Sequence, residues 1–374
     1  MRIAFIGVKG LPGTFSGIET HVHELGSRLA NRGHDVVAYV RPHYTPRNVV
    51  EDEGIRLIHR PTIPTKHLDA SVHSFLSSIH TITKNYDVVH FHAIGPAAFA
   101  PISQLSGAKI VTTIHRFDYQ SGKWGWFART CLQAAESVSL RSSDRTIVIA
   151  AWLREHYREK GFDVDFIPNG VPLPDPDLGS DQLAQFNLNP GDYYLFLGRL
   201  VPEKRPDWAI RAFAEACGNS DRRLVITGGS SATDKYIASL KKAAEPMGDR
   251  VLFTGPVYGN SKDQLLANAR GFLLPSALEG LPITLLEAMS HTRPCLVSAI
   301  PPHLDVIADG QNGFLHSADD LDDLKTKLNE LDMMDDAKLA VVGRAARQTV
   351  AEDFNWEDIV NATEALYSRL TGAG

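Results

Sequence analysis

The sequence predicts an α/β protein made of two doubly wound domains of similar size, and three observations predict it. Short apolar runs alternate with helical periodicity from one end of the chain to the other. The alternation breaks at Val171–Ser180, VPLPDPDLGS, where three prolines and a glycine suppress both periodicities. Segments rich in glycine or charge fall directly after apolar runs in both halves, at the edge where parallel sheets bind ligands.

The strand runs of the first half are IAFIGV, VVAYV, DVVHFH, KIVTTI and RTIVIA; those of the second are YYLFLG, RLVITG, RVLFTG, GFLLPS and PCLVSA. Each is nearly continuous in apolar residues, as expected of parallel strands covered on both faces. This reading places one domain at residues 1–173 and the other at 178–354, each with a Rossmann-like order of strands and helices. An amphipathic helix follows at Asn355–Leu370. Two such domains are expected to face each other across a cleft, with functional residues just after strands in both.

A chain of 374 residues, 43% hydrophobic and 22% charged, has ordinary globular composition. A formal charge of -6 argues against a nucleic acid as partner, because phosphate neutralisation needs clustered excess Lys and Arg. Cys131, Cys217 and Cys295 are widely spaced and outside any C-x-x-C, which indicates neither a disulfide framework nor a zinc site. No secretory h-region opens the sequence, and no window reaches the ~18 apolar residues of a membrane span. The expectation is a reduced, cytoplasmic, soluble protein, with peripheral contact at the inner face of the membrane left open.

Two segments of the second half carry charge at strand ends. GRLVPEKRPDW (Gly198–Trp208) follows YYLFL, so Arg199 and Lys204 can converge on a diphosphate. SALEGLPITLLEAM (Ser276–Met289) follows GFLLP, and Pro282 marks a helix start there. Glu279 lies in the turn, while Glu287 lies in the second helical turn, where a carboxylate suits a vicinal diol such as ribose. Both carboxylates lie on one strand-turn-helix path, which disfavours a glycosidase pair.

In the first half, Gly7, Gly10, Gly13 and Gly17 form a loop after the first strand, but their spacing is not G-x-G-x-x-G. Arg41 ends the second strand where an NAD fold carries an acid, and it reads as a cation exposed at a strand end. His115 ends KIVTTI, where it can hydrogen-bond a substrate hydroxyl, and Asp118 follows shortly after. His90 and His92 share a strand face without a third metal ligand nearby, whereas His21 and His23 on a helix point different ways. The acidic triplets at 163–165 and 175–177 read as turn and solvated loop. In WGWFARTCLQAAESVSL, Trp124, Phe127, Ala128, Cys131, Leu132 and Ala135 trace a core stripe, with Trp126 off it beside Arg129. That Trp could meet an acceptor or a lipid headgroup surface.

These motifs, in this order, resemble one family. GLPGTFSGIETHVHELGSRLANRGHDV, DVVHFHAIGP, TTIHRFD, IPNGV, GRLVPEKRPDWAIRAF, EGLPITLLEAM with its Glu-x7-Glu spacing and PPHLDVIADGQNGFL look like a retaining GT-B glycosyltransferase of the family 4 type, over nearly the whole chain. The resemblance implies a nucleotide-diphosphate sugar donor bound by the second domain. It implies a saccharide, lipid-linked or small-molecule acceptor bound by the first, and a terminal helix (355–374) that crosses back to it. Arg199 and Lys204 would neutralise the diphosphate, Glu287 would bind the ribose and Glu279 the sugar hydroxyls. Gly198, Gly280, Leu281 and Pro282 would complete the donor site, Gly17 would approach the phosphates, and His115 would contact the transferred sugar. Acceptor-side candidates are Ser16, His92, Asp118 and Trp126. Ser16 stands where the family often has a glycine. Neither cofactor nor metal is implied, and bacterial polysaccharide or glycoconjugate synthesis is the implied setting. A nucleotide-sugar epimerase, an NADP oxidoreductase using Arg41 and a non-catalytic sugar-nucleotide binder are the rival readings.

Overall fold

The apolar runs do become parallel strands, sorted into two separate sheets. The computed structural model describes all residues except 13–16, 66–67, 121–124, 176–177, 219, 230–233 and 373–374. The chain divides into a unit comprising Met1–Gly170 with Trp356–Gly374 and a second comprising Val171–Asn355.

The first unit runs β1 (Arg2–Ile6), α1 (Gly17–Asn31), β2 (Asp35–Val40), β3 (Glu51–Asp52), β4 (Ile55–His59), α2 (Leu68–Thr81), β5 (Val88–His92), α3 (Ile94–Ala97), α4 (Ala100–Gln104), β6 (Lys109–Ile114), α5 (Trp126–Ser142), β7 (Arg145–Val148), α6 (Ala151–Glu159) and β8 (Asp165–Phe166). Its sheet has the order β3-β4-β2-β1-β5-β6-β7-β8. Only the β3–β4 hairpin is antiparallel, turning through Glu53 and Gly54, both at positive φ. The second unit runs β9 (Tyr193–Leu197), α7 (Pro206–Ala216), β10 (Arg223–Thr227), α8 (Asp234–Ala244), β11 (Val251–Gly255), α9 (Gly259–Ala267), β12 (Gly271–Leu274), α10 (Ile283–Ser290), β13 (Cys295–Ser298), α11 (Pro301–Leu304), β14 (Phe314–His316), α12 (Leu321–Met333) and α13 (Asp336–Asp353). Its order, β11-β10-β9-β12-β13-β14, doubles back between β9 and β12, as the first sheet does between β1 and β5.

Helix α14 (Trp356–Thr371) closes the first unit. Trp356, Ile359, Val360, Leu366 and Tyr367 join Phe5, Val22, Leu25 and Leu29 in one buried cluster. Five such side chains contribute on the order of 10 kcal/mol of gross apolar burial, before chain entropy is subtracted. Glu364 pairs with Arg32 at 2.6 Å and His34 at 2.8 Å, which fixes the helix against α1.

Four details differ from the sequence reading. Strands β3, β4, β8 and β14 are additional to the ten runs; β3 and β8 have two residues each, β4 carries the exposed Arg56 and β14 has only three residues, so none is a continuous apolar run. Helix α10 begins at Ile283 because Pro282 stays extended (ψ 103°) as its N-cap. Arg41 is buried, 4% exposed, because the first turn of α2 brings Asp69 to within 2.6 Å of its Nη1. The core stripe assigned to α5 is rotated: Phe127 is 68% exposed and Cys131 is exposed, while Ala135, Glu136 and Ser139 are buried. Trp124 lies outside the described residues.

Candidate functional site

Strands β9 and β12 are neighbours, so the loops leaving their carboxyl ends meet where the second sheet reverses direction. After β9 the chain passes Gly198 and Arg199 into a short turn, Pro202–Lys204, and Arg205 turns left-handed (φ 50°) ahead of Pro206, the first residue of α7. The stem of Lys204 runs over Gly198, where a Cβ would come within 3.2 Å of it. That makes Gly198 a site of close side-chain approach. The backbone N–H of Ala277 donates to the carbonyl of Glu203 at 2.8 Å, tying this loop to the turn after β12.

Lys204 Nζ donates to Glu279 Oε1 at 2.6 Å, and Ser276 Oγ donates to the same oxygen at 2.8 Å. Both charged side chains are buried. Burial pushes the Glu279 carboxyl upward, but the Lys204 charge and hydrogen bond, with His303 and Ser276, outweigh it and hold the group below its ordinary range. Behind the pair, Ser298 Oγ donates to the Ser276 carbonyl, and His303 Nδ1 lies 2.8 Å from the Ser298 carbonyl, so it is the protonated nitrogen. Burial pulls the His303 imidazolium down to about 4, which keeps the ring neutral.

Glu287, one turn into α10, accepts from Lys262 Nζ of α9 at 2.6 Å. Gly280, Leu281 and Pro282 are buried in the turn between the two glutamates. Among the described residues no side chain caps α10, and with the Leu285 and Leu286 amides bonded to the Pro282 carbonyl it is the amides of Ile283 and Thr284 that a helix start offers to an anion. Arg199 is exposed at the head of its loop.

The first unit places imidazoles at the equivalent reversal. Gly7 follows β1 at φ +122°, and a Cβ there would come within 2.2 Å of the His92 carbonyl oxygen. His92 Nδ1 and His115 Nε2 lie 3.3 Å apart, and the His21 ring, from α1, packs against His115 at 5.3 Å and His92 at 5.6 Å between centroids. His90 hydrogen-bonds the hydroxyls of Tyr367 (2.6 Å) and Thr113 (2.7 Å). Burial holds all four neutral, taking His21 to about 4 and His90, His92 and His115 well below 6.5. Gly17 is the exposed first residue of α1, and Ser16 lies outside the described residues. Asp118 faces Arg116 at 3.8 Å, and Trp126 stands 80% exposed at the start of α5. The structure therefore gathers Lys204, Glu279 and Gly198 in one unit and His92 with His115 in the other. Among the described residues no three His, Cys, Asp or Glu form a metal-holding group.

Sequence reasoning missed Lys262, which lies 25 residues from its partner without a motif to mark it. It also gave His21 no role, placing it only on a helix.

Comparison with known proteins agrees with this fold. Residues 15–174 match the model of Glycosyltransferase Family 4, and residues 181–349 match Glycosyl transferases group 1. The chain belongs to the GT-B glycosyltransferases of the family 4 type. Among its relatives, a UDP-Gal:alpha-D-GlcNAc-diphosphoundecaprenol alpha-1,3-galactosyltransferase of Escherichia coli is 28% identical, with 84% of each chain covered. A GDP-mannose-dependent alpha-(1-6)-phosphatidylinositol monomannoside mannosyltransferase of Mycobacterium tuberculosis is 25% identical, with 92% of each covered. The fold is also that of sucrose-phosphate synthase from Thermosynechococcus elongatus, with a TM-score of 0.85, 22% identity and 100% of each chain covered. Anabaena HepE in complex with UDP and glucose gives a TM-score of 0.81 at 17% identity, covering 99% of this chain and 100% of that one.

Proposed function

We propose that this glycosyltransferase moves a hexose-type sugar from a nucleotide-diphosphate sugar to an acceptor hydroxyl with retention at the anomeric carbon, and that the second unit holds the donor. The observation that carries this reading is the buried Lys204–Glu279 pair at the reversal point of the second sheet. A buried pair of this kind adds little net stability, so its value lies in what it presents to a ligand. Lys204 supplies a positive charge for the diphosphate. Both hydrogen bonds to Glu279 end on Oε1, which leaves Oε2 to accept from a sugar hydroxyl. Glu287, steadied by Lys262, accepts from the ribose diol.

In the transfer, the acceptor oxygen bonds to the anomeric carbon as the bond from that carbon to the diphosphate oxygen breaks. The acceptor proton passes to the departing diphosphate oxygen. Arg199, Lys204 and the amides at the start of α10 stabilise the charge that grows there. Two side-chain cations perform that role, so the reaction is assigned no resident metal. The neutral imidazoles around His115 suit an uncharged hydroxylated ligand. A reducing, cytoplasmic setting fits three free thiols.

The test begins with a thermal-shift screen of nucleotide sugars, since a donor bound to the native state raises its melting temperature. With the stabilising donor, transfer should survive EDTA and give a product of unchanged anomeric configuration by NMR. Full dependence on added Mn²⁺ or Mg²⁺ overturns the metal-free assignment, and epimer formation without acceptor would favour the epimerase.

A further inference from the structure

Three helices of the first unit are packed inside out. Helix α2 buries His73, Ser74, Ser77, Ser78 and Thr81, yet exposes Phe75 and Ile79, with Ile82 just beyond its end. Helix α4 buries Ala100 and Ser103 and ends beside Leu105, which is 73% exposed. Helix α5 buries Ala135, Glu136 and Ser139 and exposes Trp126, Phe127 and Val138. Among the described residues, the hydroxyls of Ser74, Ser77, Ser78 and Ser139 are buried without hydrogen-bond partners. A helix packed for water does the reverse. Small residues inward permit close helix approach, the pattern of helices whose outer surroundings are themselves apolar.

The helices adjoin one another, with α2 against α3 and α4, and α5 against α3 and α4. The rings of Phe75 and Phe99 lie 5.7 Å apart across that packing. Charge on these helices is one-sided. The carboxylates of α2, α4 and α5 are Asp69, paired with Arg41, and Glu136, buried and accepting from the Tyr157 hydroxyl. Arg129 and Arg141 of α5 are exposed, in a chain whose formal charge is -6. Neither α2, of 14 residues, nor α5, of 17, is long and apolar enough to span a bilayer.

We propose that the outer faces of α2, α4 and α5 form a membrane-docking surface that rests on an anionic lipid leaflet, with Trp126 and Phe127 entering the interfacial region. Exposed aromatics, an absence of free carboxylates and flanking arginines are what such a leaflet selects. The lipid surface replaces the water that these apolar side chains otherwise meet, and the inward serines let the helices keep that outer layer continuous.

The experiment is co-sedimentation of the full chain with phosphatidylcholine vesicles, with and without phosphatidylglycerol. Binding is expected on the anionic vesicles, weakened about tenfold or more by W126S/F127S and by F75S/I79S, since exposed aromatics and aliphatics supply the inserted area. R129E/R141E should lower affinity for the anionic vesicles about thirtyfold and remove the preference over neutral ones. Trp126, Phe127, Arg129 and Arg141 are exposed, so in W126S/F127S and R129E/R141E far-UV circular dichroism and melting temperature should stay at wild-type values, which separates lost docking from lost folding; F75S/I79S, at positions 42% exposed, should keep the far-UV spectrum and melt somewhat lower. The proposal fails if wild type binds neither vesicle, or if the variants bind unchanged. It also fails if light scattering shows a dimer that W126S/F127S dissolves, which would make the face a contact between two copies. The readout involves no sugar chemistry, so it stands or falls apart from the donor assignment.

Discussion

The two units reverse their strand order in the same way, yet they fill the reversal point with opposite chemistry. The second unit keeps a buried ammonium–carboxylate pair there, Lys204 with Glu279; the first keeps uncharged imidazoles, His21, His90, His92 and His115. Burial forces that choice, because a charge far from water persists only beside its opposite and an unpaired imidazole gives up its proton. One topology thus yields a charged edge suited to a diphosphate and a neutral edge suited to hydroxyl groups.

The largest expected effect breaks the charged edge. Lys204→Ala should leave Glu279 buried without its counter-charge, costing about 3–5 kcal/mol in unfolding measurements and about 10²–10³ in kcat. In the double variant Lys204→Ala with Glu279→Ala, much of the stability should return while activity stays lost. Stability lost equally in both would show that the pair is not the source.

Acid should break the neutral edge next. The native-state value for His21 lies near 4 against 6.5 unfolded, so between those values the unfolded chain binds the proton and the folded one does not. Stability of the first unit should be full above pH 6.5 and fall towards pH 4, by about 3 kcal/mol for His21 alone, with His90, His92 and His115 acting in the same direction. In the second unit the Glu279 carboxyl, held low, retains its pairing until the pH falls below 4.5, and His303, near 4, is the single imidazole behind the pair that loses stability over the same range, against four in the first unit. Hydrogen exchange at pH 5 should therefore find β5 and β6 less protected, relative to pH 7.5, than β9 and β12; equal loss in both units would remove the contrast.

A matched pair of glycines sharpens the comparison. Gly7→Ala would drive a Cβ against the His92 carbonyl, and Gly228→Ala would place one 1.8 Å from the Gly198 carbonyl, both at positive φ. Each should lower unfolding free energy by about 3 kcal/mol. The first should disturb the imidazole cluster and the second the Lys204 loop, seen as a loss of donor-induced thermal shift for Gly228→Ala. The smallest effect is expected from Lys262→Met, which frees Glu287. Because Lys262 is a quarter exposed, stability should hardly change, while KM for the donor should rise about threefold to tenfold with kcat little altered.

The sequence made both edges visible for one reason: their residues follow apolar runs. His115, Arg199, Lys204 and Glu279 could be placed at strand ends without coordinates, as could ten of the strands. What stayed hidden depended on partners remote in sequence. Lys262 reaches Glu287 from another helix, and Arg41 is buried only because α2 lays Asp69 over it. The misreading of α5 has a different cause. Its period was correct, but a rule that turns large apolar residues inward fails for a helix that packs through alanine, serine and a buried glutamate.

The return of α14 to the first unit sets an order of assembly during synthesis. Tyr367 completes the hydrogen bonding of His90 across 277 positions, and Trp356 closes the cluster around Phe5 and Val22. A ribosome will have released all of Val171–Asn355 before those residues emerge, so the later unit can finish folding while the earlier one still lacks a wall. Nascent chains halted before residue 356 should present an open hydrophobic seam along α1, a surface on which chaperones would be expected to wait.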